Sequence, residues 1–391
     1  MRPFTLSQTP RLFFGKGEAG KLTALIQKFG RSVLLVTGAK SFAVSPFATR
    51  FDAAASADGL NIFRFTVSEE PTPEMIDTIV ANTTEKHIDV VVAIGGGSVL
   101  DAGKAISAMI PLREPVKVYL EGVGTKVHPG KKIPFIAVPT TSGTGSESTK
   151  NAVLSEVGES GFKRSLRHDN FIPNLAVIDP LLTISCPQSV TATSGMDAFT
   201  QLLESYVSTG ASPVTDSLCL EGLTRVRDSL QVAYQQPDNI EARSDMALAA
   251  YLSGITLANA GLGLVHGFAS SVGGRFAIAH GVICSSLMYA CNKLTIEKLL
   301  STKSNPEALA KFVRVGKLFA RSETEHDQYY LEFLTNFFHE LRDAMEIPTL
   351  AEAGVQVELL SQIAESTDNK SNPVKLDHHE RTEILKLAMR R

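Results

Sequence analysis

The stretch "VVVAIGGGSVLDAGKAISA" (residues 90–108) runs from β-branched residues through three glycines into a helical pattern opened by Ser98. A continuous apolar strand of this kind is buried on both faces, the habit of parallel sheets covered by helices. Glycines let the backbone approach a ligand closely. The helix start that follows offers free N–H groups and the positive end of a helix dipole. Strand, glycine turn and helix N-terminus together read as a phosphate-binding corner at the carboxyl end of a strand. Asp101, three residues after Ser98, reads as its partner in a capping box.

The same grammar recurs through the first 180 residues. "SVLLVTG" (32–38), "KKIPFIAVPTT" (131–141) and "LAVIDP" (175–180) are strand-like, with periodic helical segments such as "EAGKLTALIQKFG" and "PEMIDTIVANTTEKH" between strands. After about residue 183 the β-branched runs stop. "PVTDSLCLEGLTRVRDSLQVAYQQ", "NIEARSDMALAAYLSGITLANAG" and "KFVRVGKLFA" carry apolar residues at helical spacing. At 391 residues the chain is also too long for one core. We therefore expect an α/β domain with a parallel sheet over 1–183 and an all-α domain over 184–391, divided near "IDPLLTISCPQS".

Two further stretches compete for a nucleotide. "GKGEAG" (15–20) satisfies G-x-G-x-x-G, but only the short "TPRLFF" precedes it, and the next strand ends in Gly38 rather than an acid. It reads better as a turn entering the first helix. "VPTTSGTGSESTKN" (138–151) follows a strand and places Thr140, Thr141 and Thr144 at that strand's carboxyl end. Their hydroxyls suit a ribose or adenine, and equally a hydroxyl-rich turn. The neighbouring glycine corner tips the balance toward nucleotide binding.

In the second half, "SGMDAFTQLLESY" (194–206) reads as a helix burying Met196, Phe199, Leu202, Leu203 and Tyr206, with Asp197 and Gln201 four residues apart on an adjacent stripe. Ser194 and Asp197 also fit S-x-x-D, so the residues alone favour a capping aspartate. His266 lies in the apolar segment "LANAGLGLVHGFASS", and His280 follows fourteen residues later, beyond "VGGR". Convergence on one ion and ordinary core histidines both remain open on spacing alone.

Composition narrows the class. A net charge of −3 with 20% charged residues gives no reason to expect nucleic acid or an acidic membrane surface as a partner. No run of eighteen apolar residues occurs, and "MRPFTLSQTPRLFFGKGEAG" lacks the apolar core of a signal peptide. Cys186, Cys219, Cys284 and Cys291 fall at no metal-finger or redox spacing and read as small buried hydrophobes in a reducing compartment. A cytoplasmic location is the expectation.

With these pieces in hand, the chain resembles the iron-containing (group III) alcohol dehydrogenases over essentially its whole length. The matching stretches are "GGGSVLDAGKAI", "PTTSGTGSE", "IPNLAVIDP", "GMDAFTQLLESYVS", "NAGLGLVHG" and "AHGV", in that order. The resemblance implies a fold shared with dehydroquinate synthase: an N-terminal dinucleotide-binding domain, a helical domain, and a metal in the cleft between them. It implies hydride transfer between NAD or NADP and a small alcohol or aldehyde, by a homodimer or larger homo-oligomer. By motif, Gly96, Gly97 and Ser98 take the pyrophosphate, and Thr140, Thr141 and Thr144 line the adenosine and nicotinamide side. Asn151 and Lys163 also contact the cofactor. Asp197, Gln201, His266 and His280 occupy the four metal-ligand positions, with Asp197, His266 and His280 the catalytic core. The ion is Fe²⁺ or Zn²⁺.

Three positions depart from the family's pattern. Gln201 stands where histidine is usual, and its carbonyl oxygen is a weaker, harder donor than imidazole. Ser270 stands four residues after His266, where a further histidine often follows. Gly38 ends the first long strand where NAD-preferring members carry an acid, which opens the site to NADP with Lys40 nearby. A metal-independent reductase like the maleylacetate reductases and a lyase like dehydroquinate synthase are the alternatives this leaves.

Overall fold

Residues 3–39, 42–159 and 161–391 are described by the computed structural model of the chain. In chain order the first half comprises β1 (Arg11–Phe14), α1 (Leu22–Ile26), β2 (Ser32–Gly38), α2 (Pro46–Ala57), β3 (Asn61–Val67), α3 (Pro73–Asn82), β4 (Val90–Gly95), α4 (Gly97–Met109) and β5 (Phe135–Pro139), followed by β6 (Asn151–Glu156), β7 (Phe162–Arg167) and β8 (Leu175–Ile178). Six strands pair in parallel in the order β1-β8-β5-β4-β2-β3, while β6 and β7 form a separate antiparallel hairpin.

Alternate residues of each strand face opposite sides, and both sides are apolar. Val33, Leu35, Val92, Ile94, Ile136 and Val138 pack with α1 and α2, whereas Leu34, Val36, Val91, Ala93, Phe135 and Ala137 pack with α3 and α4. Each Val, Leu, Ile or Phe among them contributes ~1.5–3 kcal/mol when fully buried. Gly103 brings α4 close to the sheet: a Cβ there would lie 2.7 Å from that of Ala93 and 2.9 Å from the Phe135 ring.

The elements hidden from the sequence are the polar ones. β3 is an edge strand with alternating exposure, and β7 carries Lys163, Arg164 and Arg167 among its six residues. Neither shows the continuous apolar run by which the buried strands are legible.

After β8 the described residues hold only helices: α5 (Gln188–Val207), α6 (Pro213–Gln235), α7 (Ile240–Ala260), α8 (Leu264–Gly273), α9 (His280–Thr302), α10 (Pro306–Ala320), α11 (Asp327–Ala344), α12 (Leu360–Ser366) and α13 (His378–Ala388), with short 3₁₀ turns. Their starts are written locally. Ser45-Pro46, Thr72-Pro73, Ser212-Pro213 and Asn305-Pro306 each place a capping side chain before a proline at the first helical position. α5 buries Met196, Phe199, Leu202, Leu203 and Tyr206, as its pattern predicts. No single helix among the described residues is long and apolar enough to cross a membrane.

Two capping expectations are corrected. α5 begins at Gln188, so Ser194 and Asp197 lie in its interior and Asp197 caps nothing. α4 has Gly96 as its N-cap with no side-chain cap, and the Asp101 carboxylate instead accepts from Ser146 Oγ at 2.5 Å and from the Val153 amide at 3.1 Å. "GKGEAG" is the expected turn: Gly15 and Gly17 take positive φ before a short 3₁₀ helix that leads into α1.

Asp101 belongs to a buried polar clamp. Lys104, 1% exposed, donates to Ser146 O at 2.8 Å, Asn151 O at 2.6 Å, and the hydroxyls of Ser146 and Thr149 at 3.1 Å each. One ammonium thereby ties the helix after the glycine corner to the loop that carries the threonines. Burial pulls Lys104 down to about 8 and pushes the neighbouring Glu147 up to about 7.

Replacing Lys104 with methionine strands several buried acceptors and a carboxylate, so urea unfolding is expected to show a loss of ~3–5 kcal/mol. Glu147 gives a pH signature. Its folded pKa lies above its unfolded one, so its contribution is complete below about pH 4.5 and lost as pH rises through about 7. Glu147→Gln removes that loss. The stability of the variant relative to wild type should climb by up to ~3 kcal/mol between pH 5 and 8 in parallel denaturation curves.

Candidate active site

Strand order reverses between β2 and β4, where successive connections leave to opposite sides of the sheet. Gly38 ends β2 at this crevice, and Gly95–Ser98 leave β4 directly into α4. Ligands of open parallel sheets bind at such points, outside the carboxyl ends of the strands. Gly96, Gly97 and Ser98 are half-buried, as are Thr140, Thr141 and Thr144 on the next strand's loop. A Cβ on Gly97 would come within 2.6 Å of the Thr144 side chain, and one on Gly96 within 3.4 Å of Thr141. The two loops are therefore packed together, and at Gly97 glycine is what permits that closeness. Lys40 lies outside the described residues.

The threonine loop also meets the helical half. A Cβ on Gly143 would strike Ser194 of α5 at 2.7 Å, and Gly145, at φ +62°, lies against Gly254 of α7. Ser194 is one helical turn before Asp197, so the nucleotide corner and the acid lie on adjoining ground. The β6–β7 hairpin closes the same side. Asn151 opens β6, and Lys163 on β7 reaches Glu70 at 3.0 Å. Lys163 passes over the end of α8, where a Cβ on Gly273 would meet it at 3.1 Å.

Three helices bring the metal-ligand candidates together. Asp197, 1% exposed, projects from α5, His266 from α8, and His280 is the first residue of α9. Nε2 of His266 lies 3.3 Å and Nε2 of His280 3.6 Å from Asp197 Oδ1. That oxygen is buried yet has no hydrogen-bond partner, a costly state for a carboxylate unless positive charge sits beside it. The His280 side chain remains a quarter exposed, leaving one side of the cluster open.

Residues that sequence reasoning missed complete the centre. Glu204, on α5 at i+7 from Asp197, accepts from the Val265 amide at 2.6 Å and contacts His266 Nδ1 at 2.7 Å. The contact fixes the ring so that Nε2 faces the cluster, the usual support for a metal-binding imidazole. Its spacing on the Asp197 face was the available signal. Cys284 lies one turn after His280, with its sulfur 3.6 Å from His280 Nε2 and 3.8 Å from His266 Nε2. It was read as a core hydrophobe, because burial gives the same sequence signal as ligation. The donors of Asp197, His266, His280 and Cys284 all lie within 4.8 Å of one another.

Gln201 stands beside Asp197, but its amide nitrogen faces the acid, at 3.2 Å from Oδ2, and its oxygen accepts from Ser253 at 2.7 Å. Ser270 is turned back, donating to the His266 carbonyl at 3.0 Å.

Charge within the cluster is tightly shared. Burial alone would raise Asp197, but His280, His266 and Cys284 outweigh it and hold the acid below its ordinary value. Burial also opposes charge on His266, yet Cys284, Asp197 and Glu204 overcome it and lift the imidazole well above its usual value. Burial pushes His280 down against the pull of Asp197, with Lys163 and His266 adding to the depression. Burial lifts the Cys284 thiol to about 11. The arrangement is a carboxylate, two imidazoles and a thiol converging in a largely buried site, next to the glycine corner at the strand ends.

Comparison with known proteins agrees with this arrangement. Residues 9–180 match the family model described as iron-containing alcohol dehydrogenase, and residues 191–389 match the C-terminal model of the Fe-containing alcohol dehydrogenase family. Alcohol dehydrogenase 4 of Saccharomyces cerevisiae is 30% identical over 392 residues, covering 97% of each chain. The NADPH-dependent butanol dehydrogenase of Clostridium saccharobutylicum is 30% identical over 399 residues, covering 98% of this chain and 97% of its own. Among solved structures, a 1,3-propanediol oxidoreductase superposes with a TM-score of 0.88 at 29% identity, over 99% of this chain and 100% of its own. With both halves matched and the polar cluster lying beside the glycine corner, the chain belongs to the iron-containing alcohol dehydrogenase family and is an alcohol/aldehyde oxidoreductase.

Proposed function

We propose that hydride passes between a nicotinamide dinucleotide laid across the glycine corner and a small alcohol or aldehyde whose oxygen faces Asp197, His266 and His280. The observation that carries this reading is the unpartnered, buried Oδ1 of Asp197, with two imidazole Nε2 atoms turned toward it. One anionic oxygen and neutral imidazole nitrogens are a fitting donor set for Fe²⁺ or Zn²⁺. When bound, such an ion supplies Lewis-acid charge for the substrate oxygen, the role that protein side chains fill poorly in a dry site.

The chain's own groups do the positioning. The free N–H groups at the start of α4, beside Gly96, Gly97 and Ser98, receive the pyrophosphate. Thr140, Thr141 and Thr144 offer hydroxyls along the neighbouring strand end, and Asn151 and Lys163 border the nicotinamide side. Gly38 leaves no acid at the end of β2 to repel a 2′-phosphate, so we propose that NADP is accepted as well as NAD. Glu204 holds the tautomer of His266. Gln201, held in turn by Ser253, donates to the far oxygen of Asp197, leaving Oδ1 free to face the ion. The family resemblance further suggests that the working form is a homodimer or larger homo-oligomer.

A panel of short alcohols and aldehydes, assayed with each cofactor at the reduced-nicotinamide band, tests the proposal. Turnover is expected with wild type, and His266→Ala should lose at least ~100-fold in kcat. Full activity of wild type after exhaustive chelation, with no metal by elemental analysis, would instead support the metal-independent reading. Glu204→Gln should leave the fold intact by circular dichroism while weakening metal binding ~10–100-fold in competition with a chelator.

A further inference from the structure

Cys284 and His280 lie four residues apart at the start of α9 and so share a face. The sulfur is fully buried, and its hydrogen-bond-range partners among the described residues are the two ring nitrogens that face Asp197. Gln201, the position expected to complete the ligand set, is engaged at both ends of its amide, by Asp197 on one side and Ser253 on the other. Ser253 also donates to Ala250 O at 2.8 Å and approaches Gly143 O at 3.5 Å, tying this bridge to the threonine loop. Gln201 thus has both ends of its amide already engaged, whereas the polar partners of the sulfur are the two imidazoles of the cluster.

We infer that Cys284, rather than Gln201, is the fourth protein ligand, and that Asp197, His266, His280 and Cys284 form a zinc-preferring centre. The inference rests on the metal-dependent reading above and names the ion that reading leaves open. Thiolate is a soft donor that Zn²⁺ accepts readily, and one thiolate, one carboxylate and two imidazoles are all within zinc's ordinary repertoire. Coordination deprotonates a thiol outright, so uptake of the ion forms the metal–sulfur bond and releases the Cys284 proton to solvent. A carboxylate and a thiolate together balance a divalent charge, which suits a site buried this deeply. The same balance makes the ion less electrophilic than one held by a single anion.

Cobalt substitution tests this directly. Protein stripped by chelator and loaded with Co²⁺ should show a near-ultraviolet sulfur-to-cobalt charge-transfer band, which Zn²⁺ abolishes on displacing the cobalt. The band should vanish in Cys284→Ser and persist in Gln201→Ala. Zn²⁺ affinity in Cys284→Ser should fall at least ~10-fold by chelator competition. Stoichiometric cobalt without the band in the wild-type protein would overturn the thiolate ligand and leave the metal-dependent oxidoreductase standing. Absence of any bound metal would overturn both. The wild-type spectrum decides between these even if a variant fails to fold.

Discussion

A single carboxylate, Asp197, is buried to 1% exposure where α5, α8 and α9 meet, and much of the helical half is arranged around that fact. An ionised acid in a dry interior is tolerable only with hydrogen bonds and opposite charge close by. Gln201, itself braced by Ser253, satisfies one oxygen. The second oxygen has two imidazoles turned toward it and no hydrogen bond, which makes the place a receptor for positive charge. Glu204 stands behind one of those imidazoles and fixes its ring, and Cys284 lies beside both.

On the other side of the cleft a second buried charge does comparable work. Lys104 donates to four oxygens and thereby fixes the threonine loop against the helix that opens the phosphate corner. Because Gly143 of that loop rests on Ser194 of α5, the two charged clusters are mechanically joined. The glycine corner and the Asp197 cluster are thus parts of one continuous packed body. This is the preorganisation that hydride transfer needs, since a small misplacement of the reacting atoms is costly.

The family places this chain in a known reaction class, and its departures define its individuality. Gln201 would weaken a conventional cage if nothing else changed. Cys284 lies within reach of the same ion and offers a donor of the opposite character, so the two residues read as a linked pair. Gly38 is the departure at the other end, closing β2 without an acidic side chain.

The residues by themselves determined the two halves of the fold and the strand–glycine–helix corner. Continuous apolar strands, glycine at strand ends and proline after a capping residue are local signals that survive in one dimension. Polar elements escaped, because β3 and the β6–β7 hairpin lack the continuous apolar run of the buried strands. The helix carrying Asp197 was legible, but its start was not: S-x-x-D looks the same at a cap and in an interior. Only the tertiary structure decided that Asp101 clamps rather than caps, that Glu204 orients His266, and that Cys284 belongs with the histidines. A buried thiol in a core and a buried thiol at an ion leave the same mark on the sequence. Which one it is depends on what three separate helices place next to it.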